Sequence, residues 1–155
     1  MRSSAIISLC GTYRYTLSRE WDDALPCCRW IMLNPSTADD RQDDPTIRRC
    51  IGFARAWGYG SIRVYNLFAL RATNPDALRT ASDPIGPDND MHLRSIERTA
   101  SKVAAWGTHG EYLGRGDAVR SMVPQLSVLG FTKCGHPRHP LYVRADTELQ
   151  AWSTP

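Results

Sequence analysis

An apolar run, Trp30-Ile31-Met32-Leu33, breaks off at Asn34-Pro35-Ser36-Thr37-Ala38-Asp39, and this break constrains the chain more than any other stretch. Four apolar residues in succession leave no polar face, so they fit a short strand covered on both sides of a sheet. Pro35 cannot donate to a sheet ladder and biases Asn34 away from helix, which forces a turn. An amide, two hydroxyls and Asp39 therefore land just beyond a strand's carboxyl end, where open α/β sheets hold their ligands. A strand closed by an Asx or Ser turn would give the same pattern without any site. The later strands decide between the two.

They repeat the pattern. Residues 5–10 and 13–17 around Gly11 read as a β-hairpin, with Tyr13 and Tyr15 on one face as cover for a sheet edge. Asp43 or Asp44 caps a helix that opens at Pro45 and carries Ile47, Cys50, Ile51, Ala54 and Trp57 at helical spacing. Arg48, Arg49 and Arg55 lie elsewhere around it, as a solvated face does. Residues 61–68 form a second apolar strand interrupted by Asn66, an amide that must find partners or face a cleft. A short helix starts at Asn74-Pro75-Asp76, and the loop 83–90 caps another over 91–100. Strands at 103–106 and 126–131 flank a helix at 117–122, and a helix at 147–152 closes the chain. Two His-Pro pairs, His136-Pro137 and His139-Pro140, stiffen the loop after the fourth strand. Strands alternating with helices predict an α/β fold: one three-layer αβα domain over 1–155, with a central, mainly parallel four-stranded sheet plus the N-terminal hairpin.

Composition narrows the classes. At 155 residues the chain can bury about 68–70% of its unfolded surface without staples. No apolar run reaches a membrane span and no signal region follows Met1, so a cytoplasmic protein with no membrane partner is expected. The five cysteines lack metal-type spacing and read as reduced thiols, with no metal and no cofactor implied. All but two of the 19 basic residues are arginines, Lys102 and Lys133 being the exceptions. Arginine suits bidentate phosphate contacts, so the net charge of +3 permits a nucleic-acid partner without demanding one.

No nucleophile elbow, P-loop or dinucleotide fingerprint is present. Asparagines and a neutral histidine at strand ends can instead recognise a heterocycle. An amide offers both a donor and an acceptor to a base edge. A histidine can donate to a carbonyl oxygen that gathers charge as a bond breaks. A second amide or a carboxylate can orient a water against a sugar C1′. Those parts suit hydrolysis of an N-glycosidic bond.

Met32-Leu33-Asn34-Pro35 resembles the first motif of the uracil-DNA glycosylase superfamily, above all its mismatch-specific and single-strand-selective branches. The His-Pro loop ending in Leu141 is similar to the second motif of that superfamily, His-Pro-Ser-Pro. Asn66 in Tyr-Asn-Leu-Phe falls where those enzymes carry a base-reading asparagine, and Val103-Ala104-Ala105-Trp106-Gly107 is similar to their third strand. Residues 33–39, 44–46 and 139–142 also resemble an uncharacterised bacterial and phage domain family, over nearly the whole chain.

The superfamily resemblance implies a monofunctional DNA glycosylase that acts, as a monomer, on a flipped-out nucleotide. Asn34 would position the water and Asn66 would read the base. His139 or His136 would stabilise the leaving anion. Leu141 or Tyr142 would wedge into the vacated stack, and Arg138 or Arg144 would hold phosphates. Ser36 stands where the relatives have glycine, and Asp39 or Asp44 could act as the base. A wider polar pocket, with Ser36, Thr37, Phe68, Asn89 and Asp90 toward the substrate, would suit a damaged or modified pyrimidine, the hypermodified bases of phage DNA included. That would make it a protein of antiviral defence rather than of repair. Two other classes fit the same residues: an N-glycosidase or transferase on free nucleosides or nucleotides, and a non-catalytic nucleic-acid-binding module.

Overall fold

The computed structural model describes residues 1–36 and 41–153. The protein is α/β. Strands β1 (Arg2–Ile7), β2 (Arg14–Glu20), β3 (Cys27–Met32), β4 (Ser61–Asn66), β5 (Lys102–Ala104), β6 (Ser127–Val128) and β7 (Gln150–Ala151) form one sheet in the order β1-β2-β4-β3-β5-β6-β7. Helices α1 (Pro45–Ala56), α2 (Ala77–Thr80), α3 (Asn89–Arg94) and α4 (Arg115–Met122) interleave with the strands.

The sheet corrects two expectations. It has seven strands rather than four, and it is mixed: β3–β4, β3–β5 and β5–β6 pair parallel, while β1–β2, β2–β4 and β6–β7 pair antiparallel. The N-terminal hairpin is therefore part of the sheet, with Leu17 opposite Val64. The closing helix at 147–152 does not form. Its residues supply β7 instead, which covers the edge of β6, and Trp152 packs on Trp106 and Phe131. Covering an open edge and burying an indole outweigh the weak helical preference of a single turn and a half. The helix expected at 91–100 starts earlier, at Asn89, and ends at Arg94.

Strand β3 is buried as its sequence demands: Trp30 and Ile31 are fully enclosed. Alternation then divides the core in two. Trp30 and Met32 face α1 through Ile47, Cys50 and Phe53, with Trp30 stacked on Trp57 at 5.8 Å. Ile31 faces the other way, into Leu93, Ile96, Val119 and Val123. Each large apolar side chain buried in this way contributes about 1.5–3 kcal/mol. Helix α1 begins where Asp44 Oδ1 accepts from Ile47 N at 2.8 Å, with Pro45 in the first turn. Buried Arg19 holds the preceding residue, Asp43, at 2.7 Å, so β2 fixes the loop that supplies the cap.

The chain leaves β3 through α1 for β4 on one side, then crosses to β5 on the other. The carboxyl ends of β3 and β5 thus diverge at a switch point, where such sheets open a crevice.

Candidate functional site

A cleft of about 470 Å³ opens at that switch point. The end of β3 supplies Asn34, Pro35 and Ser36, the end of β4 supplies Asn66, and the turn after β5 supplies Trp106, Thr108 and His109. The start of α1 adds Asp44 and Thr46, and the loop after β6 adds Thr132, Arg138, His139 and Tyr142.

Asn34 spends its nitrogen on the fold. Nδ2 donates to the carbonyls of Pro35 at 3.0 Å, Leu70 at 3.4 Å and Ala72 at 2.9 Å. Carbonyl oxygens only accept, so this ring of three fixes which end of the amide is nitrogen and leaves Oδ1 as the acceptor for the cleft. Asn66 does the reverse. It is 3% exposed, lines the cleft, and its side-chain amide meets no hydrogen-bond partner among the described residues. Its own backbone oxygen is held by Asn89 Nδ2 at 2.9 Å, which locks the strand end.

His139 Nδ1 accepts from Leu141 N at 3.1 Å, capping the turn Pro140–Tyr142. The proton of the neutral ring is therefore on Nε2. Burial pushes the imidazole below its ordinary value, against the opposing pull of the Asp44 charge, so the neutral form is favoured. Arg49 clamps this loop to α1 through the carbonyls of Pro140, at 3.2 Å, and Val143. Asp44, besides capping α1, faces Ser36 Oγ at 3.5 Å through Oδ2.

On the far wall, the Trp106 indole leaves no room for side chains: a Cβ on Gly110 would fall on its ring, and one on Gly116 would come within 3.2 Å of Nε1. Those glycines let the post-β5 turn fold over Trp106 and set Thr108 and His109 at the cleft.

Of the residues expected from sequence, Asn34, Ser36, Asp44, Asn66, Arg138, His139 and Tyr142 meet in the cleft. Six others lie elsewhere, each for a physical reason. Phe68 is fully buried in the core against Tyr112. Asn89 is fully buried and ties down the carbonyls of Asn66 and Leu67. Asp90 pairs with Arg115 at 2.8 Å. His136 faces Glu111 at 3.8 Å, outside the cleft. Leu141 points into a separate groove beside α1, and Arg144 is held bidentate by Asp146. Thr37 and Asp39 lie outside the described residues.

The sequence reading missed Arg14, Thr46, Thr73, Thr108, His109 and Thr132, all of which line the cleft. Arg14 carried a usable signal, since it alternates with Tyr13 and Tyr15 and so had to face away from them. The threonines carried none.

Among the described residues no cluster of three or more His, Cys, Asp or Glu is placed to hold a metal, all five cysteines are free thiols, and no helix is long and apolar enough to cross a membrane. The family described as "Protein of unknown function (DUF1643)" matches residues 14–141. The chain belongs to that family. The matched span runs from Arg14 in β2 to Leu141, and so takes in every cleft residue except Tyr142. No curated protein and no solved structure matches the chain.

Proposed function

We propose that this protein hydrolyses the N-glycosidic bond of a damaged or modified pyrimidine in DNA, leaving an abasic site. The observation that carries this reading is Asn66. The residue is 3% exposed, its amide has no protein partner among the described residues, and what accessibility it keeps is onto the cleft, so both its donor and its acceptor are left for a ligand there. A base edge offers both the donor and the acceptor that it lacks. The reading takes the parallel run β4-β3-β5-β6 as the working unit, with helices over both faces and the ligand at its switch point.

The neighbouring groups suit the bond to be broken. The Nε2–H of His139 donates to the base oxygen that gains charge as the bond between C1′ and the ring nitrogen cleaves. Asn34 Oδ1 accepts from a water and aims it at C1′, and Asp44 takes the proton the water loses. Arg138 and the exposed ring of Tyr142 stand at the mouth, where a backbone phosphate and a neighbouring base would pass. With DNA as the partner, the reading calls for a monomer working in the cytoplasm without a cofactor. A pocket altered by the Ser36 hydroxyl, where the glycosylases it resembles have glycine, is in this reading fitted to a modified base, such as those of phage genomes, rather than to plain uracil.

A second reading draws on two positions. Arg144 is occupied by Asp146, and Leu141 is turned away from the cleft. A phosphate clamp and a wedge at those positions are thus missing, which favours hydrolysis or transfer on free nucleosides or nucleotides.

The test is an abasic-site assay on uracil-containing duplex and single strand and on phage DNA with unmodified, hydroxymethylated and glucosylated cytosine. Wild type should form alkali-labile breaks in one substrate, and Asn66→Ala and Asn34→Ala should lose them by about a hundredfold. Release of base from free nucleosides, with no breaks in any DNA, would establish the second reading instead.

A further inference from the structure

A second depression of about 450 Å³ adjoins the cleft, lined by Pro45, Arg48, Arg49, Gly52, Phe53 and Leu141 among others. The two share a ridge. Asp44 faces the cleft while Pro45 faces the groove, and Tyr142 faces the cleft while Leu141 faces the groove.

Gly52 is the unexpected residue here. It sits in the middle of α1, exposed, with ordinary helical backbone, and a Cβ built on it meets nothing within 4 Å. Glycine inside a helix weakens it relative to alanine. Neither packing nor backbone geometry within the chain accounts for its presence. An open floor that something from outside approaches closely does account for it.

The walls say what that is. Arg49 uses Nε and Nη2 on the His139 loop, and Arg48 uses Nη1 on the Asp43 carbonyl at 2.6 Å. Both guanidiniums keep further donors, and no acidic residue lines the groove among the described residues. Leu141 is 42% exposed and offers an apolar side to the same space. Fixed positive charge, an apolar flank and a bare helix floor fit a nucleotide: phosphate on arginine, base or sugar on glycine and leucine.

We propose that this groove holds the nucleotide next to the one in the cleft, so that a single nucleic-acid strand crosses the ridge of Pro45 and Tyr142 and is read on both sides. The proposal rests on the glycosylase reading for the identity of the strand. It assigns Gly52, Arg48 and Leu141 to substrate binding.

Binding of a fluorescein-labelled single-stranded oligodeoxythymidylate of about ten nucleotides tests it, followed by anisotropy over a range of salt. Gly52→Leu fills the groove yet improves the helix, so its Tm should equal or exceed that of wild type. Its Kd should rise about tenfold. Arg48→Gln should flatten the salt slope by about one. A well-folded Gly52→Leu with unchanged Kd overturns the proposal, as does a wild type that binds no oligonucleotide. Dimers of wild type that dissociate in Gly52→Leu, with oligonucleotide binding untouched, would assign the groove to a second copy of the chain and overturn it too. Abasic-site formation by the same preparations separates the two claims. Weakened binding in Gly52→Leu beside a wild type that forms no abasic sites upholds the groove and sinks the glycosylase. Equal kcat/KM and equal Kd in both proteins do the opposite.

Discussion

The two ends of the parallel strands are built from similar residues and put to opposite use. At the amino ends every named polar group has a partner within the fold. Gly60 N donates to Pro26 O at 2.9 Å, Trp21 Nε1 to Tyr59 O at 3.1 Å, Ser101 Oγ to Tyr59 Oη at 2.9 Å and Lys102 Nζ to Glu97 O at 2.7 Å. At the carboxyl ends Asn66 is more buried than Trp21, Tyr59 or Ser101 and has no side-chain partner among the described residues, Asn34 leaves an oxygen over, and neutral His139 presents Nε2. A buried polar group without a partner weakens a fold. Buried Trp30 Nε1 and Asn89 Oδ1 also lack partners among the described residues without lining the cleft, so the proposed function rests on where Asn66 stands, in the cleft beside Asn34 and His139, and not on its missing partner alone.

Three substitution experiments can break or sharpen that contrast. The largest effect belongs to the closed end. A Cβ on Gly60 would land on the Asp22 carbonyl and come within 2.8 Å of Leu25 Cβ, so Gly60→Ala must push apart the loop that seals the strand starts. Overpacking of that kind costs about 3 kcal/mol, which urea denaturation would read as a lower midpoint at unchanged slope. A loss below about 1 kcal/mol would mean that the closed end is looser than its contacts imply.

The next compares two asparagines a few ångströms apart. Asn89→Ala strips the Asn66 carbonyl of its side-chain donor, leaves that of Leu67 to Arg115 alone, and should destabilise by about 2 kcal/mol. Asn66→Ala removes an amide that bonds to nothing in the described protein and should change stability by less than about 0.5 kcal/mol. Equal losses in the two variants would erase the distinction between a structural and a ligand-facing amide.

The smallest effect is acid sensitivity at the open end. Burial depresses the folded His139 imidazole below the ordinary value of about 6.5. Between the two values the unfolded chain binds the extra proton, so the stability His139 contributes is level above pH 6.5 and falls as pH drops through that interval. Protonation also places a hydrogen on Nδ1 and expels the Leu141 N–H it accepts. Tm should therefore drop less between neutral and mildly acidic pH in His139→Gln than in wild type. Parallel losses in both would show that the ring stays charged, or uncharged, throughout.

The residues show why only part of the site was legible. Asn34 and Asn66 could be placed because each interrupts or ends an apolar run, and period-two alternation tells which end of a strand they occupy. His139 could be named only together with His136, because two identical dipeptides three residues apart look alike until Glu111 and Asp44 are seen beside them. Phe68, Asn89 and Asp90 were misassigned for a common reason: core aromatics, carbonyl-tying amides and paired carboxylates have the same composition as a polar pocket. Whether an amide serves backbone or ligand depends on what stands opposite, and that comes from other strands.

Sequence by itself determined the α/β class, the buried strand β3, the capped helix α1 and the break at Asn34-Pro35, because these rest on local periodicity, proline geometry and capping within a few residues. Tertiary structure alone decided that the hairpin joins the sheet, that residues 150–151 form a strand, and that the cleft is floored by threonines and Arg14. It also turned Leu141 away from the cleft and left Gly52 bare beside it. Edge pairing and cavity walls are made between residues distant in the chain, where no local rule reaches.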